Sequence, residues 1–454
     1  MTGQISNSLF AKYLSVLVSG TIIAHLITAG TLPFLTRIYS PEDFEILAVF
    51  NAITSLIAVV ACLRYEIAVP FAEKTEDAKA LVALSIGVAM VTSICLLMLL
   101  IATPSRWVNN ALGGSFIGGQ FWLIPLAVFS LALFSIVQAW FTRLQKFKVI
   151  ASARVLQASS ASGTQLLLGL AGWGPVGLIL GYLANSLMGA LSMGVLMLRA
   201  KVTKGVNISQ ITRVASSNIK FPKYSTWEAL FNSGSIQLPI LLIAAVGIGP
   251  EAGYLAISMY ALQVPMALIG TSVGQIYYSE GGKAYRDGLL AEFNILMLSR
   301  LSTIGVGPLI FAGIVSPSIF SWIFGSEWVR AGELVRFMTP WFILQFMASP
   351  LSLAFTITGN QKLGSTLQAV GLFVRVGSVV FAALLFPEYI VEIFALSGAV
   401  FYGGYLVAVF RHTPSRLDSV LKALLGNLWV ATIWLAFGVM VLLCVPYFEN
   451  VLVL

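Results

Sequence analysis

Stretches of roughly 20 apolar residues, the length that carries a helix across a bilayer core, follow one another along almost the whole chain. Such a chain has few options. In lipid, every backbone N–H and C=O must be satisfied within its own segment, which leaves a bundle of membrane-spanning helices. Composition agrees: of 454 residues, 58% are hydrophobic and 10% are charged, against about 25% charged in soluble domains. The predicted class is therefore an all-α polytopic membrane protein. Its spans are expected at 12–36, 43–70, 81–103, 119–142, 149–171, 175–198, 225–247, 251–278, 298–322, 333–357, 364–386 and 388–411, with a further apolar run at 424–446. Cys62, Cys95 and Cys444 lie inside these runs and read as small buried hydrophobes, not as a disulfide framework or a metal site. The first run is long and lacks a small-residue cleavage site, so it is expected to remain as a helix.

The net charge of +8 is not read as a sign of nucleic acid, because its placement follows the membrane. With a cytoplasmic N-terminus, 21 of the 26 basic residues fall on the inside; only Arg37, Arg106, Arg330 and Arg336 lie outside, and Arg375 sits within a span. That split is what the positive-inside rule predicts. Trp107, Trp122, Trp140, Trp173, Trp227, Trp322, Trp328 and Trp341 fall near span ends, where amphipathic rings favour the interface. The longest outer connection is 104–118, too short for an extracytoplasmic catalytic domain. The longest inner one is 199–224, in which Ile208, Ile211, Val214 and Ile219 recur at helical spacing and predict an interfacial helix.

The two sides of this inner connection echo each other. Leu32-Pro33 pairs with Leu238-Pro239, Pro41-Glu42 with Pro250-Glu251, Pro125 with Pro340, and Gln145-Lys146 with Gln361-Lys362, all in order and at offsets of 206 to 216 residues. The expected organisation is a six-helix bundle at 1–199, a linker at 200–224, a second six-helix bundle at 225–411 and an appended hydrophobic helix and tail at 412–454. Halves with an even number of spans form a parallel repeat, which predicts a substrate cavity near the midplane and alternating access.

Three segments carry a resemblance. Leu35-Thr36-Arg37-Ile38-Tyr39-Ser40-Pro41-Glu42-Asp43-Phe44, Leu63-Arg64-Tyr65-Glu66 and Phe221-Pro222-Lys223-Tyr224-Ser225 resemble bacterial polysaccharide (O-antigen type) flippases of the multidrug/oligosaccharidyl-lipid/polysaccharide exporter superfamily. Glu45 stands where that family usually has Gly. The resemblance implies translocation of a polyprenyl-pyrophosphate-linked oligosaccharide to the periplasmic leaflet of the inner membrane. Membrane lipid and glycan polymerase machinery are the further partners it implies.

An ionisable residue at the bilayer centre costs about 2.5–3.5 kcal/mol on insertion scales, so each one needs a reason. Arg375 lies about 16 Å into its span at 1.5 Å per residue, and its planar fork suits a diphosphate; a structural ion pair is the competing reading. Glu228, Asn232 and Ser235 form one polar stripe on the seventh span, and Thr21, His25 and Thr28 form its counterpart on the first. The two stripes are expected to face each other across the cavity. Asn232 and His25 are candidate substrate contacts, while Glu228 is either a proton or sodium coupling site or the partner of a cavity arginine. Arg64 and Glu66 read as a salt-bridged anchor or as a cytoplasmic mouth for phosphate, with Glu66 a second coupling candidate, and Arg154 is similar. Asn51, Gln138, Asn185, Gln263 and Gln345 either meet sugar hydroxyls or tie helices together. No Gly-Lys-Ser/Thr phosphate loop, metal-ligand spacing or nucleophile elbow is present, so no ATP hydrolysis, cofactor or enzymatic activity is expected. Two alternatives stand beside the flippase: a cation-coupled multidrug exporter of the same superfamily, and a membrane glycan polymerase or ligase. The exporter would want acids in its cavity, and the enzyme a folded outer loop where Arg106 stands alone.

Overall fold

A computed structural model of the chain describes residues 7–104, 121–246, 248–413 and 415–452. All regular structure among them is helical. Arg106, Trp107 and all of the 104–118 connection after its first residue lie outside the described residues, as do the side chains of Lys12 and Cys444. Ten described segments are long and apolar enough to cross a membrane, and the chain is a multi-pass helical membrane protein. It folds as two compact units, Met1–Gly247 and Ile248–Leu454.

The first unit opens with α1 (Asn7–Ile38) and α2 (Pro41–Ala58). A complete cap separates them. Ser40 Oγ accepts from the Asp43 N–H at 3.3 Å, Asp43 Oδ2 accepts from the Ser40 N–H at 3.1 Å, and Pro41 takes the first helical position. The sequence predicted one span over 43–70; the structure ends α2 at Ala58. The chain turns through Leu63 and Arg64, both left-handed at φ 48° and 62°, into a 3-10 segment at Tyr65–Phe71 that contains Pro70. The left-handed turn at Leu63 and Arg64 takes the chain out of any continuous helix there, whatever its apolar composition. Arg143 holds the far side of the break by donating to the carbonyls of Val69, Ala72 and Glu73.

α3 (Thr75–Ala102) follows, then α4 (Leu123–Arg143), α5 (Phe147–Leu170) and α6 (Pro175–Arg199). α3 exposes Met90, Val91, Ile94, Met98, Leu99 and Ile101, a surface suited to lipid and not to water. α5 is the centre of the unit, packed on α1 and α6. Its approach to α1 is close: a Cβ on Gly20 would stand 2.5 Å from the Ala151 Cβ, the small-residue contact that lets membrane helices pack backbone to backbone. The expected interfacial helix is α7 (Ile208–Ser217), which buries Val214 and packs on α3, where Arg213 pairs with Asp77 at 2.5 Å. A π-helical turn at Phe221–Ser225 leads into α8 (Thr226–Val246), which packs on α2.

The second unit holds α9 (Glu251–Arg286), α10 (Leu290–Leu301), α11 (Gly307–Phe324) and α12 (Val329–Leu351). After the short α13 (Leu353–Ile357) come α14 (Gln361–Leu385) and α15 (Ile390–His412). α12 is its core, packed on α9, α11 and α15, with Met338, Phe342, Ala348 and Leu351 fully buried. α16 (Leu417–Leu425) leads to α17 (Leu428–Leu452), the appended helix, which docks on α11. There Phe311 stacks on Phe437 with centroids 5.2 Å apart, and Gly307 leaves room for the Trp434 ring.

Candidate functional site

Polar side chains at membrane depth gather in distinct clusters. In the first unit, α5 turns a polar stripe towards its neighbours. Arg154 Nη1 donates to Thr21 Oγ1 at 2.5 Å, and its charge acts directly on His25. Further along, Gln157 donates to Asn185 at 3.4 Å, Ser160 to the Ala184 carbonyl, and Gln165 to the Leu178 carbonyl. The structure therefore brings Arg154, which the sequence places on a separate span, to the stripe of Thr21 and His25. Asn185 joins the same stripe, bonded to a helix neighbour.

The second cluster is the break after α2. Arg64 and Glu66 form an ion pair at 3.7 Å. Glu66 is buried, and neither its Oε2 nor Arg64 Nε has a hydrogen-bond partner. Both residues border a cavity of about 260 Å³ at the break. Asn51, a turn earlier, accepts from Ser55 at 2.9 Å.

On α8, Glu228 and Asn232 sit on the exposed face, while Ser235 is buried and donates back to the Asn232 carbonyl at 2.8 Å. The main packing partner of α8 is α2 and that of α1 is α5, so the stripes of His25 and Glu228 are not packed on one another. Their carboxylate and imidazole answer to different neighbours.

Arg375, on α14 in the second unit, is 3% exposed. Its guanidinium carbon lies 4.9 Å from the centroid of Trp341, 5.0 Å from Phe401 and 5.1 Å from Tyr402. Within this box Arg375 Nε and Nη2 and Trp341 Nε1 all lack hydrogen-bond partners. The ring quadrupoles stabilise the charge in place of a carboxylate. Each of these contacts contributes on the order of 0.5–2 kcal/mol.

One cluster escaped the sequence reading. Arg330 donates to both oxygens of Glu251, at 3.0 and 3.2 Å, reaches Glu392 at 2.7 Å and meets Glu333 at 3.4 Å. It ties α9, α12 and α15 at one end of the second unit. The sequence carries a signal for it: Glu251 and Glu392 open their spans, and Arg330 is one of only four basic residues on the expected outer side. Among the described residues, no three of His, Cys, Asp and Glu gather as a metal site.

Solved structures place this architecture. The lipid II flippase MurJ in an inward closed conformation superposes with a TM-score of 0.69 at 12% identity, over 98% of this chain and 100% of that one. An inward-facing multidrug resistance MATE family transporter of the MOP superfamily gives 0.56 at 12% identity, covering 92% and 94% of the two chains. An outward-facing structure gives 0.56 at 14%, covering 90% and 96%. No curated protein sequence matches the chain. The chain thus has the fold seen in these structures. The chain belongs to the polysaccharide biosynthesis protein family, whose profile matches residues 34–333.

Proposed function

We propose that the protein flips a polyprenyl-pyrophosphate-linked oligosaccharide across the bacterial inner membrane by alternating access, in the making of a surface polysaccharide such as O-antigen or capsule. The observation that carries this reading is the family match over residues 34–333, joined to a fold similar to that of a lipid II flippase. The chemistry agrees. A lipid-linked sugar diphosphate needs cationic and hydrogen-bonding groups at membrane depth, and Arg375, Arg154, His25, Arg64 and Asn232 supply them. Arg375 takes the diphosphate once its aromatic box opens, and Arg154 forms a second cationic point, with His25 as a hydrogen-bonding group. Glu228, on an exposed face, and Glu66, in the α2 break, are the proposed sites for a coupling proton or sodium ion.

The N-terminus is proposed to be cytoplasmic, on the strength of the basic-residue asymmetry. The duplicated halves, at 1–199 and 225–411, are supported by a recurring packing pattern. In the first unit α4 packs on α2, α3 and α6; in the second α12 packs on α9, α11 and α15. Counted as spans, these are corresponding sets. α8 packs on α2, so the boundary at 225 is a boundary of sequence repetition and not of packing.

A cation-coupled drug exporter is the second reading, favoured by the likeness to MATE transporters. Its cargo would want acids where this chain carries Arg375, Arg154 and His25. Lipid analysis of a strain lacking the chain tests both. The flippase reading expects lipid-linked repeat units to accumulate on the cytoplasmic side while surface glycan is lost. Normal glycan and no accumulation, with no redundant transporter present, would leave the exporter.

A further inference from the structure

The cavity at the α2 break is lined by Ser55, Arg64, Glu66, Leu131, Phe134 and Ser135 among others. Its polar wall has an unusual balance. One cation faces one anion, with Nη1 and Oε1 3.7 Å apart, longer than a hydrogen bond. Each side chain therefore keeps hydrogen-bonding capacity on the cavity side that a guest can take up. An anion would answer Arg64 but face the Glu66 carboxylate; a cation would answer Glu66 and face the guanidinium. Only a neutral guest that both accepts and donates answers the two together. Ser135 adds a hydroxyl that serves in either role, and Ser55, which donates to Asn51, adds an acceptor. The other wall is apolar, with the Phe134 ring and Leu131, and water would leave it unmatched.

We propose that this cavity is a subsite for a neutral pyranose ring of the cargo, its hydroxyls on Arg64, Glu66 and the serines and its C–H face on Phe134. The proposal rests on the flippase reading above; it gives Arg64 a sugar in place of a phosphate and Glu66 a sugar hydroxyl in place of a coupling ion, which leaves coupling to Glu228. It also gives the break a purpose: an unbroken helix through 59–64 would not turn Arg64 and Glu66 to the same cavity.

The test uses the full chain in nanodiscs, with Cys62→Ser, Cys95→Ala and Cys444→Ala, and Ser135→Cys as a reporter labelled by a small neutral thiosulfonate. Two probes compete: repeat-unit oligosaccharide cleaved by mild acid from the host's own surface polysaccharide, and inorganic pyrophosphate. The oligosaccharide is expected to slow labelling several-fold and pyrophosphate to leave it unchanged. Phe134→Ala should raise the half-protecting concentration by up to about tenfold, the effect of one lost ring contact, while Phe134→Tyr should retain protection. Glu66→Gln, which leaves Arg64 unbalanced, should let pyrophosphate protect. Protection of the parent by pyrophosphate, or none by the oligosaccharide, overturns the proposal. So does failure to label both this reporter and a second at Ser55→Cys, because no guest then enters. If the deletion strain accumulates lipid-linked units yet the sugar does not protect, the subsite falls and the flippase reading stands; protection without accumulation means the reverse.

Discussion

Arg375 is the residue on which the physics is sharpest. A guanidinium within a helix apolar enough to cross a membrane is ordinarily expected beside an acid, and this one lies among three rings instead. Stacking satisfies its charge but not its hydrogen bonds, so Nε and Nη2 stay without partners inside the closed box. Arg375→Ala is expected to abolish transport at unchanged protein abundance, scored as surface glycan in a complemented deletion strain. Arg375→Lys should recover only part of it, because an ammonium is a point charge without a stacking plane. Wild-type glycan in the alanine variant would remove Arg375 from the site. The sequence made this residue stand out, since a lone charge in an apolar run is conspicuous. Its surroundings were not legible: Trp341, Phe401 and Tyr402 come from two other helices, and apolar periodicity does not say which rings converge.

At the scale of elements, most helices were readable because lipid demands them, and length with apolar content is enough to find them. The failure at 43–70 has a physical cause. The residues that break α2 are Leu63 and Arg64, neither a usual left-handed residue, and the break is held from α4 by Arg143, a contact about seventy residues away in sequence. Tertiary bonds overrode local pattern there. The Arg330 cluster was missed for the same reason, since it joins three helix ends. One cation there serves three carboxylates, so Arg330→Ala leaves Glu251, Glu333 and Glu392 repelling one another. The loss should be about 2 kcal/mol, below the figure for fully buried pairs because this cluster still touches solvent. It would be read as a lower midpoint of thermal unfolding in detergent, and Arg330→Ala with Glu392→Gln should recover part of it.

At the scale of the molecule, the appended helix α17 closes one side of α11 through contacts that a disulfide can report. A Cβ on Gly438 would lie 3.3 Å from Ile314 Cβ, close to the spacing a disulfide needs. Ile314→Cys with Gly438→Cys, in a chain without its native cysteines, is expected to oxidise to an intramolecular bridge detectable by mass spectrometry; persistently free thiols would mean that α17 does not dock there. The boxed arginine also bears on how the protein is made. Each span leaves the translocon on its own merits, and α14 must enter lipid carrying Arg375 before α15 has been synthesised to supply Phe401 and Tyr402. Alone it should partition poorly, by about the 2.5–3.5 kcal/mol that a central arginine costs. A glycosylation-mapping insertion assay is expected to find that α14 inserts weakly as an isolated segment. Insertion should improve with Arg375→Leu, and also when α15 is left attached, so biogenesis of this region waits on the helix that follows it.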